Sequence, residues 1–204
     1  CSAFTECLDT IKGWSDAHPC HTPLMIWIEP KDDTGGFPLS DLTIVDQEIR
    51  EVFPSEQLFT PDDLRGGHPD VRSALDAEGW PTLGELRGQV IPVLLDTDDI
   101  AERHTAGFTT LDGRTLFARV TPDQFHLPWA AIAKLGVYDA AALGSAHGAG
   151  LFIAANVCGA DESDAECFAG RDAAIEGGVH VVDIGTQLEL VIAQQHVVPE
   201  KGQA

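Results

Sequence analysis

The sequence predicts an α/β fold built on a parallel sheet, and three observations predict it. Short apolar runs recur along the 204-residue chain, each run leads into polar residues, and amphipathic segments with helical spacing lie between the runs. Strand, crossover, strand units of this kind pair in parallel with a right-handed connection. Composition permits one substantial core, at 44% hydrophobic and 22% charged residues, and no apolar run approaches the roughly 18 residues of a membrane span. With 33 acidic against 12 basic residues the formal charge is −21, which argues against nucleic acid as a partner and leaves divalent cations as natural company.

The elements follow in order. Phe4, Cys7, Leu8, Ile11 and Trp14 recur at helical spacing, and that segment ends at His18-Pro19. Leu24-Met25-Ile26-Trp27-Ile28 reads as a strand buried on both faces, which delivers Glu29 and Lys31 to its end. If extended geometry continues through Pro30, these two residues project to one side, where parallel-sheet proteins place their chemistry. A weak surface ion pair is the alternative reading. Asp32-Asp33-Thr34-Gly35-Gly36 reads as a loop, and Ser40 as the cap of a helix whose face is Leu42, Val45, Ile49 and Val52. Residues 54–69, with Pro61-Asp62-Asp63-Leu64-Arg65-Gly66-Gly67, read as an excursion, and a short helix at Val71 and Leu75 stops at Gly79. Thr82 and Glu85 have capping-box spacing in a brief turn closed by Gly88.

A second strand, 90–95, ends in Asp96, Asp98 and Asp99, and a third, 115–120, ends in Arg119-Val120-Thr121-Pro122. Phe125, Trp129, Ile132 and Leu135 then recur at helical spacing before Gly136. The fourth strand, 151–155, ends at Asn156, followed by an acidic loop between Cys158 and Cys167 and a helix through Phe168 and Ile175 that stops at Gly177-Gly178. The fifth, 179–182, ends in Asp183-Ile184-Gly185-Thr186, ahead of an amphipathic stretch, 188–198.

Five strands do not complete an eight-stranded barrel, which usually takes about 250 residues. A chain that opens on a helix and holds five units reads as a (β/α)8 TIM barrel without its first three units, spanning residues 1–198, with 199–204 as a polar tail. A complete five-stranded doubly wound domain is the alternative. Five cysteines without Cys-x-x-Cys spacing suit secreted disulfides better than zinc, and the odd count leaves at least one without a partner in the chain. Cys158 and Cys167 are expected to pair across their loop, with a secreted or extracytoplasmic setting.

Three blocks carry a family resemblance. They are Trp14 to His21 leading into Pro23-Leu24-Met25-Ile26-Trp27-Ile28-Glu29-Pro30-Lys31-Asp32-Asp33, then Thr60-Pro61-Asp62-Asp63-Leu64-Arg65-Gly66-Gly67-His68, then Gly79-Trp80-Pro81-Thr82-Leu83-Gly84-Glu85-Leu86-Arg87-Gly88. With Arg171-Asp172-Ala173-Ala174 ahead of the last strand, the chain resembles the calcium-dependent, bacterial-type phosphoinositide-specific phospholipase C family of TIM-barrel phosphodiesterases. The resemblance places the chain on barrel strands four to eight. It implies that Glu29 is a Ca²⁺ ligand, that Lys31 is a basic partner facing the substrate phosphate or the metal, and that Asp96 is a supporting acidic residue.

The implied reaction is calcium-dependent cleavage of the glycerol–phosphate bond of a phosphoinositide by attack of the inositol 2-hydroxyl. The partners it implies are a phosphoinositide or related phosphodiester lipid and transient contact with a membrane surface, without a transmembrane segment. The family's general base and general acid are histidines of earlier strands. None of His18, His21, His68, His104, His126, His147, His180 and His196 matches them, so residues 1–204 alone are expected to lack activity. Two strand ends depart from the family pattern: Ala154-Ala155-Asn156 where the seventh strand usually brings a basic residue, and Asp183-Ile184-Gly185-Thr186 where relatives tend to end Ser-Thr-Asp-Tyr. Two other readings stay open, a glycerophosphodiester phosphodiesterase-like enzyme, which also carries Glu-x-Lys on a strand, and a non-catalytic ligand-binding barrel.

Overall fold

The structure, a computed structural model, describes residues 3–30, 39–96, 98–136, 139–158 and 163–183, with the side chains of 39–41 excepted. The stretch 188–198 and the tail 199–204 lie outside the described residues. The chain divides into two compact units, one of Cys1–Arg119 with His126–Ala131, the other of Val120–Phe125 with Ile132 onward.

The first unit holds α1 (Phe4–Ala17), β1 (Leu24–Ile28), α2 (Leu39–Val52), a 3-10 turn (Ser55–Gln57), α3 (Pro61–Arg65), α4 (Val71–Ala77), β2 (Val90–Leu94), α5 (Asp99–His104) and β3 (Phe117–Val120) up to Arg119. β1 pairs in parallel with β2, Leu24 level with Val90 through Ile28 level with Leu94, and β2 with β3, where Val93 is level with Phe117 and Leu94 with Ala118. Because side chains alternate along a strand, this register sorts them into two faces. Leu24, Ile26, Ile28, Val90 and Leu94 pack with Leu8, Leu42, Ile49 and Phe53 in the helix-covered core. The fully buried aliphatic side chains among them, such as Leu8, Leu42 and Ile49, contribute about 1.5 to 3 kcal/mol each. The other face carries Trp27, Val93 and Phe117, and there the Phe117 ring lies 5.8 Å from Trp80 and 6.2 Å from Phe59.

Two of the motif blocks are clamps for this sheet. In the Trp80 block, Thr82 and Glu85 exchange hydrogen bonds, Glu85 Oε2 accepting from Thr82 N–H at 2.8 Å and Thr82 Oγ1 from Glu85 N–H at 3.3 Å, so the capping-box chemistry is present on a turn. Arg87 then donates to the carbonyl of Cys20 at 2.9 Å, and the N–H of Gly88 donates to the carbonyl of His21, also at 2.9 Å. Gly88 sits at φ +78°, and a Cβ there would stand 2.6 Å from the Pro19 carbonyl oxygen, so only glycine fits this approach. The contacts fix the loop ahead of β1, and with it the β1–β2 register. In the Thr60 block, Pro61 opens α3 behind a full capping box of Thr60 and Asp63, and Asp62 takes Arg65 at 3.0 Å and the N–H of Gly113 at 2.9 Å.

One buried polar cluster crosses the same core. Asp46 of α2 accepts the N–H groups of Thr115 at 2.8 Å and Leu116 at 3.4 Å, and its second oxygen faces the Arg114 guanidinium at 3.2 Å. His104, fully buried at the end of α5, donates through Nε2 to the Leu116 carbonyl at 3.0 Å. Burial pushes its pKa below the ordinary histidine value.

The second unit holds a 3-10 turn (Pro122–Gln124), β4 (Ile132–Gly136), α6 (Ala140–Gly148), β5 (Phe152–Asn156), α7 (Asp164–Glu176) and β6 (Val181–Asp183). Its strands are also parallel and in chain order, Lys134 level with Ala154 and Ala154 with Val181. Ser163 and Glu166 form a capping box at the start of α7, whose Cys167 is bonded to Cys158 with their Cα atoms 4.7 Å apart. The expected Cys158–Cys167 pair is therefore present; Cys7 is also disulfide-bonded and Cys20 is a free, exposed thiol.

The described residues hold six strands rather than five. The added one is Ile132–Gly136, whose helical spacing with Phe125 and Trp129 is a coincidence of two buried aromatics in the connection before it. The helix of that unit is α6, further along. Ser40 lies inside α2, which starts at Leu39, and so is not the residue outside the helix that caps it.

Candidate active site

Charged residues gather where the strands of the first unit end. The N–H of Leu95 donates to the Ile28 carbonyl at 2.9 Å, which closes the Ile28–Leu94 pair at the end of the ladder. Continued by one residue, the same register sets Glu29 beside Leu95, and Leu95 beside Arg119. By alternation all three share the face of Trp27, Val93 and Phe117, at the carboxyl ends of the strands. Adjacent strands lie about 4.8 Å apart, so Glu29 and Arg119 stand on the order of 10 Å apart in one row across the sheet. Glu29 is exposed and Arg119 half-buried, with its Nε atom buried and without a hydrogen-bond partner among the described residues.

Asp96 follows β2 by two residues and is half-buried. Its Oδ1 accepts the N–H groups of Asp98 at 2.9 Å and Ala101 at 3.2 Å, which shapes the turn into α5. Lys31 lies outside the described residues. Beside the β1 end, a cavity of about 250 Å³ is lined mainly by apolar groups, among them Phe4, Leu42, Val45 and Leu116, and also by Glu29 and Glu48. Such a lining gives no purchase on a phosphate.

Among the described residues, no three of His, Cys, Asp and Glu cluster so as to hold a metal ion. Calcium takes about 6 to 8 hard oxygen ligands. The Glu29 carboxylate is an oxygen donor of the right kind, while one oxygen of Asp96 is already engaged by the backbone.

Apart from His126, the described histidines occupy structural positions. His104 is sealed in the core, and His68 pairs with Glu78 at 2.9 Å. His18 stacks on Trp14 at the end of α1 with ring centroids 4.5 Å apart, and His21 lies tilted against the same indole at 5.4 Å. In the second unit His180 accepts the Ile153 N–H on Nδ1 at 2.9 Å and stacks on Phe152 at 4.8 Å, at the strand ends opposite to the carboxyl ends. Burial, and then the neighbouring His147, push its pKa down to about 4. His126 is exposed, and His196 lies outside the described residues.

At the carboxyl ends of the second unit, Lys134 Nζ pairs with Asp183 Oδ2 at 2.6 Å. Lys134 reaches across β5 because its neighbour there is the small Ala154, and Asn156, level with Asp183, receives the Cys158 N–H at 3.2 Å. Arg119 and Lys134 are the charged strand residues that sequence reasoning did not single out. A cation closing an apolar run is the same signal that marks Glu29, and it was available for Arg119. For Lys134 it was hidden by the helical reading of its segment.

The fold and the strand-end charges define an α/β protein of the TIM-barrel class. A calcium-dependent phosphatidylinositol-specific phospholipase C from Streptomyces antibioticus matches it with a TM-score of 0.65 at 22% identity, over 84% of this chain and 67% of that one. A calcium-dependent phosphoinositol-specific phospholipase C from a Pseudomonas species gives 0.66 at 23% identity, over 89% of this chain and 66% of that one. The chain thus spans about two thirds of the length of these structures. The sequence profile described as Phosphoinositide phospholipase C, Ca2+-dependent matches residues 1–182, and the chain belongs to that family. Among curated proteins none matches.

Proposed function

We propose that the protein is a calcium-dependent phosphodiesterase that cleaves the glycerol–phosphate bond of a phosphoinositide lipid through attack of the inositol 2-hydroxyl. The observation that carries this reading is the family match over residues 1–182, combined with a carboxylate, Glu29, at the carboxyl end of a parallel strand. Glu29 is the metal ligand in this reading, Lys31 binds the substrate phosphate, and Asp96 supports the site by holding the adjacent turn. Bound at Glu29, calcium would offset phosphate charge and lower the pKa of the attacking hydroxyl. The general base and acid are assigned to none of the eight histidines of this chain; among the described ones, His104 is sealed in the core and His180 is held by the Ile153 N–H. The disulfides support a secreted protein that meets its lipid at a membrane surface, and no described helix is long and apolar enough to cross a membrane.

Glu29→Gln tests the assignment. The side chain is exposed, so its loss leaves stability within about 0.5 kcal/mol of the parent. In the full-length protein, calcium-dependent release of the inositol phosphate from phosphatidylinositol vesicles is expected to vanish in the variant. Full activity at limiting calcium would remove Glu29 from the metal site.

A further inference from the structure

The row that ends in Glu29 also holds a cation that the fold does not use. Arg119 is a strand residue, half-buried, one row beyond the Phe117–Trp80–Phe59 aromatic cluster. Its neighbour in the row is Leu95, it makes no hydrogen bond or ion pair with any described residue, and its Nε is shut off from water. Taking a guanidinium N–H out of water without a partner is unfavourable, and buried cations are ordinarily paired. The other strand cation at a carboxyl end, Lys134 in the second unit, follows that rule through Asp183.

A guanidinium whose Nε is buried and unpaired among the described residues, in the same row as a carboxylate about 10 Å away, fits one type of occupant. An oxyanion accepts two parallel N–H bonds from a guanidinium, and the distance to Glu29 leaves room for a small group between them. We propose that Arg119 is a binding residue for a phosphate group of the ligand, which supplies the acceptors the protein withholds. That the ligand is anionic follows from Arg119 alone; that the anion is a phosphate rests on the phosphodiesterase reading.

The test uses the full chain in chelator, so that calcium-dependent turnover plays no part. Binding of myo-inositol, inositol 1-phosphate and inorganic phosphate is measured calorimetrically for the parent, Arg119→Met and Arg119→Lys. Arg119→Met is expected to weaken inositol 1-phosphate at least tenfold, the size of a lost charge-assisted pair, while leaving myo-inositol unchanged, and Arg119→Lys to recover part of the loss. Weakening of inorganic phosphate by the same factor assigns Arg119 to the anion itself, and weakening of inositol 1-phosphate alone assigns it to a headgroup phosphate. Thermal melts separate the alternative of a structural arginine: a residue with no partner is expected to be replaced by Met with the melting temperature unchanged or raised. Undiminished inositol 1-phosphate binding in Arg119→Met, or a variant that melts well below the parent, overturns the proposal. Failure of Glu29→Gln to affect cleavage would overturn the calcium reading and leave this phosphate result standing.

Discussion

Replacing Asp46 by alanine would strip three groups of their acceptor at once. The Thr115 and Leu116 N–H groups lie on fully buried residues, and the Arg114 guanidinium, 19% exposed, would lose the carboxylate 3.2 Å away. Breaking a buried pair from one side costs about 3 to 5 kcal/mol, and the residual exposure of Arg114 places the expected loss near the lower figure, about 3 kcal/mol. For a chain of this size that corresponds to a melting temperature roughly 6 to 12 °C lower. Asp46→Asn keeps an acceptor for the Thr115 N–H and loses the charge, so about 1 to 2 kcal/mol is expected. In the double variant Asp46→Ala with Arg114→Met no cation is left stranded, and the loss is expected to fall at least about 1 kcal/mol short of the sum of the single losses. Urea unfolding followed by circular dichroism at pH 7 measures all five proteins, the parent, the two Asp46 variants, Arg114→Met and the double variant. If Asp46→Ala stayed within about 1 kcal/mol of the parent, or the cycle were additive, the cluster would not be a coupled core element.

His180 gives the stability a pH dependence. Its pKa is held down to about 4, so its contribution is complete above the unfolded value of about 6.5 and is lost as pH falls toward 4; buried His104 acts in the same direction. Between pH 7 and pH 5 the parent is expected to lose about 1 to 2 kcal/mol more than His180→Gln in urea melts, and equal losses would sink the assignment. Removing the Cys158–Cys167 bond by double serine substitution opens a closure with a sequence separation of 9 and is expected to cost about 2 to 3 kcal/mol. Peptide mapping without reduction that found both thiols alkylatable in the parent would contradict the bond itself.

Sequence reading recovers what is dictated locally. Leu24–Ile28 and Val90–Leu94 are legible because a continuous apolar run of strand length, bounded by polar residues, has few other fates. Glu29 is legible because a carboxylate directly after such a run can only stand at its carboxyl end. Ile132–Gly136 is not legible: Ala133 and Lys134 are poor strand formers, the strand is short, and two preceding aromatics complete a false helical period. The α6 segment, rich in alanine and glycine, has no amphipathic face to announce it. Arg119 needed the register between β2 and β3, a long-range fact, before it could be set in one row with Glu29.

The return of residues His126–Ala131 to the first unit bears on where this polypeptide can be divided. The indole of Trp129, 1% exposed, lies 6.3 Å from Phe108, while the flanking Pro128 carbonyl receives the Arg72 N–H at 2.9 Å. An apparent border after β3 is therefore no border for the interior. A polypeptide ending at Arg119 would leave a hole the size of a tryptophan beside Phe108, a loss of about 3 to 5 kcal/mol, whereas one ending after Ala131 would keep its plug. Anyone dissecting this protein into pieces should treat residues 126–131 as inherited by the piece that precedes them, however the strands are counted.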